Sequence, residues 1–297
     1  MPGAFRKYAE TIYNMEVRPD DIWVITYPRS GTTWTQELVW LVENNLDYKA
    51  AKATPLHERF PMLEITSQIP EIAFDLIKTN FMNIASFQGL NKAVKCPSWK
   101  TIEDVKSPRL IKTHLPLSML PPSLVNTAKV IYVARDPRDV AVSYYYLHRM
   151  LIKNLLNTSF KFFWDAFRRD LLPWSPIVAH ANEAWVQRHN PNVHFLFYED
   201  LIRDLPKEIT SICEFLKRDY GEKQILELSE HLSFDSLRKN KNVNNSVNGK
   251  KEGIQFIRKG EVGGWVTHFD EEMATQAEEF LKARLSGLDL TYPTFSV

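Results

Sequence analysis

The stretch TYPRSGTTW, Thr26 to Trp34, gathers the side chains of an anion site: Arg29, a single glycine at Gly31, and the hydroxyls of Ser30, Thr32 and Thr33. It follows the apolar run DIWVI and opens onto TQELVWLVENN, which has helical spacing. Backbone N–H groups at a helix start, the positive end of its dipole and a guanidinium together favour an anionic oxygen. A nucleoside-triphosphate loop reads G-x-x-x-x-G-K-[ST], and this stretch lacks both the first glycine and the lysine. The same residues also suit a plain helix N-cap whose threonines bond their own backbone, and local pattern leaves both readings open.

Two more basic clusters follow. Arg135 ends the run AKVIYVAR and leads into DPRDVAVSYYY, which carries Ser143 two turns into a helical pattern. A guanidinium fork and a hydroxyl there make a second anion site; the alternative is a surface pairing of Arg135 with Asp139, or of Arg138 with an aspartate. FIRKGEVGGW contributes Arg258, Lys259 and Gly260, which either close backbone N–H groups onto a charged oxygen or form a solvated basic loop. In RLIKTHLP, Lys112 and His114 alternate with Ile111 and Thr113 and so face one side of a strand end. His114 is the side chain suited to take a proton near neutral pH. Among the 8 histidines there is no HExxH or His-x-His pattern, so no metal site is expected.

The elements that must position these residues alternate along the chain. Strand-like runs at 21–27, 109–114, 128–135 and 193–200 are apolar nearly throughout, as strands buried on both faces are. Trp34, Leu38, Leu41 and Val42 recur at the spacing of one helix face. Asp136 and Pro137 read as the N-cap and first position of another helix, and further helical patterns run over 175–190, 204–217 and 270–284. This order predicts a single α/β domain over 1–297, with a central parallel sheet flanked by helices and ligands at the carboxyl ends of the strands. The polar, basic stretch 239–265 reads as a loop over the site.

Composition limits the partners. With 37 Lys and Arg against 36 Asp and Glu, the net charge of +1 supplies no field for nucleic acid or an anionic membrane, so any anion site is local. No apolar run reaches the ~20 residues of a membrane helix, and the N-terminal stretch has no signal-peptide core. Cys96 and Cys213 stand far apart, which suits a reducing compartment. A soluble, cytoplasmic protein is expected.

Taken in order, TYPRSGTTW, PRLIKTHLPLSMLP, VIYVARDPRDVAVSYY, FLFYEDL, HLSFDSLRKN and FIRKGEVGGW resemble the cytosolic sulfotransferases, which use 3′-phosphoadenosine 5′-phosphosulfate (PAPS). The resemblance runs from about Asp21 to Trp265. It implies that Arg29, Ser30, Gly31, Thr32 and Thr33 hold the 5′-phosphosulfate and that Trp34 stacks on adenine, with Tyr198 and Phe234 bordering it. It further implies that Arg135, Ser143, Arg258, Lys259 and Gly260 hold the 3′-phosphate. Lys112 matches a lysine beside the transferring sulfuryl group and His114 the catalytic base, with no metal required. The acceptor class is a small, largely apolar phenol, steroid, retinoid or monoamine, and Phe60, Phe81, Phe87, Tyr144, Tyr145, Tyr146 and Trp164 are candidates to line its pocket.

The chain departs from the family pattern in three places. Arg29 stands where most members have lysine, Leu232 where threonine is frequent, and VTHFDEEMAT (266–275) lacks the Lys, Val and Glu of a short dimerisation motif. A monomer, or a dimer through another surface, is therefore expected. Three alternatives stay open: a non-catalytic PAPS-binding module, a dehydratase that sulfonates an alcohol and then eliminates sulfate, and a P-loop kinase using Glu199 or Asp200 for Mg²⁺.

Overall fold

Ile22 and Val24 point to one side of their strand and Trp23 and Ile25 to the other, and all four are buried. A strand apolar on both faces needs a helical layer on each. The computed structural model describes residues 3–68, 98–151, 158–244, 257 and 260–294. Strands β1 (Ile22–Thr26), β2 (Leu110–Thr113), β3 (Lys129–Ala134) and β4 (Val193–Phe197) form one parallel sheet in the order β2-β1-β3-β4. Ile25 lies opposite both Thr113 and Tyr132, and Ala134 opposite Phe197, so the carboxyl ends of all four strands open onto one edge. The outer edge of β2 is covered by Pro61–Leu63: Lys112 N donates to Pro61 O at 2.9 Å and Leu63 N to Lys112 O at 2.9 Å. Such cover removes a sheet edge that would otherwise pair with another chain.

The main helices are α1 (Thr32–Glu43), α2 (Pro137–Leu151), α3 (Phe160–Arg168), α4 (Ile177–Trp185), α5 (Tyr198–Arg203), α6 (Leu205–Phe215), α7 (Glu222–His231), α8 (Phe234–Lys239) and α9 (Glu271–Leu285). On one face of the sheet Leu38, Leu41, Ile209, Ile212 and Leu228 pack onto Ile22, Val24 and Ile131; on the other Trp23, Ile25 and Tyr132 meet Ala181 and Ala184. Each fully buried aliphatic or aromatic side chain contributes about 1.5–3 kcal/mol. Pro137 begins α2 and Asp136 Oδ1 accepts from Arg138 N at 2.8 Å, as the sequence predicts.

The fourth expected strand is too long. Residues 198–200 wind into α5, because Glu199 and Asp200 favour a helix N-terminus and Glu199 Oε1 is drawn to Asp136 N at 2.9 Å. The short helices α7 and α8 and the aromatic α3 are additions to the expected pattern. Most of 239–265, including Arg258 and Lys259, lies outside the described residues, as do Phe81, Phe87 and Cys96. Among the described residues no helix is long and apolar enough to cross a membrane.

Candidate functional site

Each strand delivers a candidate residue directly beyond its carboxyl end: β1 the 27–31 loop, β2 His114, β3 Arg135 and β4 Tyr198. The loop after β1 is bent by two left-handed residues, Arg29 at φ 72° and Gly31 at φ 98°. That conformation costs a non-glycine residue about 1–2 kcal/mol, which the surrounding bonds must offset. A Cβ on Gly31 would sit 2.8 Å from Cδ2 of Tyr198, so only glycine lets the turn lie against that ring. The hydroxyls of the loop do not cap α1, whose N-cap is Gly31. Thr32 Oγ1 instead lies 2.6 Å from Thr26 Oγ1, and Ser30 Oγ is buried without a hydrogen-bond partner. A buried hydroxyl left unsatisfied costs about 1–3 kcal/mol, and an anionic oxygen seated at the loop would satisfy it.

Arg29 and Arg135 tie the loop to α2 and to the segment after residue 260. Arg29 Nε donates to Ser143 Oγ at 2.9 Å, while Arg135 donates to Arg29 O at 3.1 Å and to Glu261 O at 2.8 Å. The Arg135 guanidinium lies 4.1 Å over the Tyr198 ring, and Trp34 meets Tyr198 edge-on at 5.7 Å. Arg29, Ser30, Gly31, Trp34, Arg135, Ser143 and Tyr198 are therefore one cluster. Thr33 is half-buried in the first turn of α1. Gly260, at φ 68°, packs so tightly on Phe234 that a Cβ would clash with its ring. The ion-pair alternative holds for Arg138, which pairs with the buried carboxylate of Asp136 at 2.6 Å. For Arg135 it is replaced by the two carbonyl contacts, and Asp139 instead accepts Gly263 N at 2.7 Å and Trp265 N at 3.0 Å. Both loop amides are thereby latched to α2.

His114 is held at three points. Its Nδ1 lies 2.8 Å from Thr26 O, its backbone N donates to Glu64 Oε1 at 2.7 Å, and its carbonyl lies 3.0 Å from His180 Nε2. Tyr132 OH reaches the other nitrogen of His180 at 2.7 Å. Because Thr26 O can only accept, His114 carries its proton on Nδ1 and presents Nε2 as a base. Burial, then the charge of Lys112, push the His114 pKa down to about 3. Burial likewise lowers the Lys112 ammonium, against the opposing pull of Glu64.

Four of these partners have no local signal in the sequence: Thr26, Glu64, His180 and the role of Asp139 as a latch. Their contacts span 50 to 126 residues, and only the fold brings them together. Of the aromatics considered for an acceptor pocket, Phe60, Tyr144 and Trp164 are core residues, while Tyr145 borders a small apolar pocket with His148, Phe162, Phe163 and Leu172. Leu232 is fully buried in the core. Glu199 Oε1 accepts the Asp136 amide while its Oε2 is buried without a hydrogen-bond partner, and Asp200 pairs with Arg203 at 2.8 Å.

Comparison with known proteins adds three findings. The sequence model of the sulfotransferase domain matches residues 19–289. Sulfotransferase 1E1 of Bos taurus is 31% identical over 98% of this chain and 92% of its own, and luciferin sulfotransferase of Photinus pyralis is 34% identical over 95% and 76%. Crystal structures of retinol dehydratase, one with androsterone and the inactive cofactor PAP and one with retinol and PAP, superpose with a TM-score of 0.89 at 41% identity, covering 98% of this chain and 88% of theirs.

Proposed function

The chain belongs to the sulfotransferase family and is a PAPS-dependent enzyme, and on that premise we propose that it sulfonates a hydroxyl on a small, largely apolar skeleton, with His114 as general base. The observation that carries the reading is the geometry of His114: a neutral imidazole, fixed by Thr26, with Nε2 available at the carboxyl edge of the sheet. PAPS supplies an activated sulfuryl group whose leaving group is a phosphate. His114 Nε2 takes the acceptor proton as the acceptor oxygen bonds to sulfur and the bond from sulfur to the 5′-phosphate oxygen breaks. Arg29, Lys112 and the start of α1 supply fixed positive charge to the departing oxygens. Ser30, Gly31, Thr32 and Thr33 hold the 5′ end, and Trp34, Tyr198 and Phe234 flank the adenine. Arg135 and Ser143, with Arg258, Lys259 and Gly260, hold the 3′-phosphate. The unsatisfied hydroxyl of Ser30 and the glycine cradle at Gly31 fit such a ligand.

A second reading has a specific observation behind it. The 41% identity to retinol dehydratase exceeds the 31% to 34% found with the two sulfotransferases compared, and favours an allylic or steroid-like alcohol whose sulfate ester is then eliminated. Mass spectrometry of products from PAPS and a panel of phenols, steroids, retinoids and amines, with and without EDTA, tests both. A stable sulfate ester supports transfer alone, and a product lighter by one water supports elimination. A protein that binds the nucleotide and turns over none of the panel contradicts the proposal.

A further inference from the structure

Asp139 stands in the first turn of α2, four residues after Arg135, and only 4% of it is exposed. Both of its oxygens are engaged by a segment more than a hundred residues away: Oδ2 accepts Gly263 N at 2.7 Å and Oδ1 accepts Trp265 N at 3.0 Å. Gly263 has a left-handed backbone, φ 75°, and the two amides lie at the start of the short turn Gly264–Thr267. The first amides of a helical turn have no partner within it, and here one side chain serves both. Its neighbours add to the hold. The Arg138 guanidinium lies 4.2 Å over the Trp265 ring, and Arg135 donates to Glu261 O at 2.8 Å. Residues 135–139 thus grip residues 261–265 through side chains alone.

That grip bears on the placement of Arg135. Its guanidinium is set by Arg29 O at 3.1 Å, by Glu261 O and by the Tyr198 ring, while its Nε is buried without a hydrogen-bond partner. The cluster therefore keeps a donor that an anionic oxygen would satisfy. Of the three fixed points, Glu261 O belongs to the far segment, and it lies two residues before the first amide that Asp139 holds. We propose that Asp139 is a positioning residue for the 3′-phosphate: by holding the amides of Gly263 and Trp265 it fixes the Glu261 carbonyl, and through it the Arg135 guanidinium. The inference rests on the assignment of Arg135 and Gly260 to that phosphate above. Its consequence is selective. Loss of Asp139 weakens the share of affinity that comes from the 3′-phosphate and spares the share that comes from the rest of the nucleotide, whereas a residue that only stabilised the fold would affect both alike.

The test removes the phosphate from the ligand and the latch from the protein in turn. Calorimetric titration with PAP and with adenosine 5′-monophosphate, which is PAP without its 3′-phosphate, gives a ratio of Kd values for each protein. In Asp139→Ala the Kd for PAP rises about tenfold, the scale of one net hydrogen bond, while that for the monophosphate stays near the wild-type value. Asp139→Asn offers one acceptor oxygen where the carboxylate offers two. It shifts the ratio in the same direction and carries the test if the alanine variant does not fold. Amide hydrogen exchange in the ligand-free protein reads the latch without any nucleotide: the Gly263 and Trp265 amides are protected in the wild type, and at least one of them exchanges faster in each variant. An unchanged ratio in the variants, equal weakening of the two ligands, or unprotected amides in the wild type overturns the proposal. A wild-type ratio near one strikes the 3′-phosphate assignment itself and the proposal with it, a result read before either variant is made.

Discussion

The Nδ1 hydrogen of His114 is donated to the carbonyl oxygen of Thr26 at 2.8 Å, which makes Nε2 the basic nitrogen of the ring. With its pKa pushed down to about 3 by burial and by Lys112, this imidazole is neutral in the ligand-free protein wherever an ordinary histidine would be titrating. Nitrogen-detected NMR of selectively labelled protein should therefore show the Nδ1–H tautomer with no protonation step between about pH 5 and 8. A midpoint near that of a solvent-exposed histidine would contradict the arrangement.

Stability should fall in mild acid for the same reason. His114, His180 and His194 all have folded pKa values below the ordinary histidine value of 6.5, chiefly through burial, with His194 at about 4. The unfolded chain then binds more protons than the folded one between the two values, so their contribution is complete above pH 6.5 and is lost as pH falls toward about 4 and about 3. His194 is remote from the transfer chemistry: its ring lies 5.2 Å from Phe215, and Nε2 is buried without a partner. His194→Phe should accordingly be more stable than wild type in urea at acidic pH, with the advantage shrinking toward neutrality. An advantage that grows with pH would refute this.

The nucleotide site should discriminate by its 3′-phosphate. Arg135 and Ser143 both bond to Arg29 of the loop after β1, so on the proposed assignment a ligand carrying both anionic groups would engage the whole cluster. PAP should raise the melting temperature, with ligand at a hundred times its Kd adding ~2.7 kcal/mol. ATP with Mg²⁺, which has no 3′-phosphate, should stabilise far less. Equal stabilisation by the two would remove the basis for the assignment.

Arg29 has a left-handed backbone and donates from Nε to Ser143 Oγ at 2.9 Å, a donor that the lysine implied here by the family resemblance would lack. Lysine keeps the charge and gives up the Nε donor, so Arg29→Lys should retain substantial turnover with weaker PAPS binding. Arg29→Met should lose ~10²–10³-fold in kcat, the usual effect of removing one electrostatic donor. Steady-state kinetics with PAPS varied at saturating acceptor reads both, and full activity in Arg29→Met would show that the arginine takes no electrostatic part.

What the sequence disclosed, and what it withheld, divides along physical lines. The apolar runs 21–27, 109–114 and 128–135 and the Asp136–Pro137 helix start are local signals, and β1, β2, β3 and α2 lie on them, each strand ending one residue earlier than its run. Tyr198 was expected in a strand and instead begins a helix, because the end of β4 is decided by the Glu199 contact with Asp136, 63 residues away. The motifs marked His114 but not what holds it: Glu64, Thr26 and His180 are ordinary residues until the sheet and α4 bring them within hydrogen-bonding distance. Arg138 was weighed beside Arg135 as an ion-pairing residue, and only the packing of Tyr198 and the Glu261 carbonyl separates their roles.

The most direct measurement is single-turnover transfer from ³⁵S-labelled PAPS in His114→Ala, run beside calorimetric titration with PAP. Loss of a general base typically lowers the transfer rate by ~10²–10⁴-fold, and a role confined to the moving proton leaves nucleotide affinity near that of the wild type. That pair of results is the one this account predicts. Transfer at close to the wild-type rate, or a collapse of nucleotide affinity that accounts for the lost activity, would contradict it.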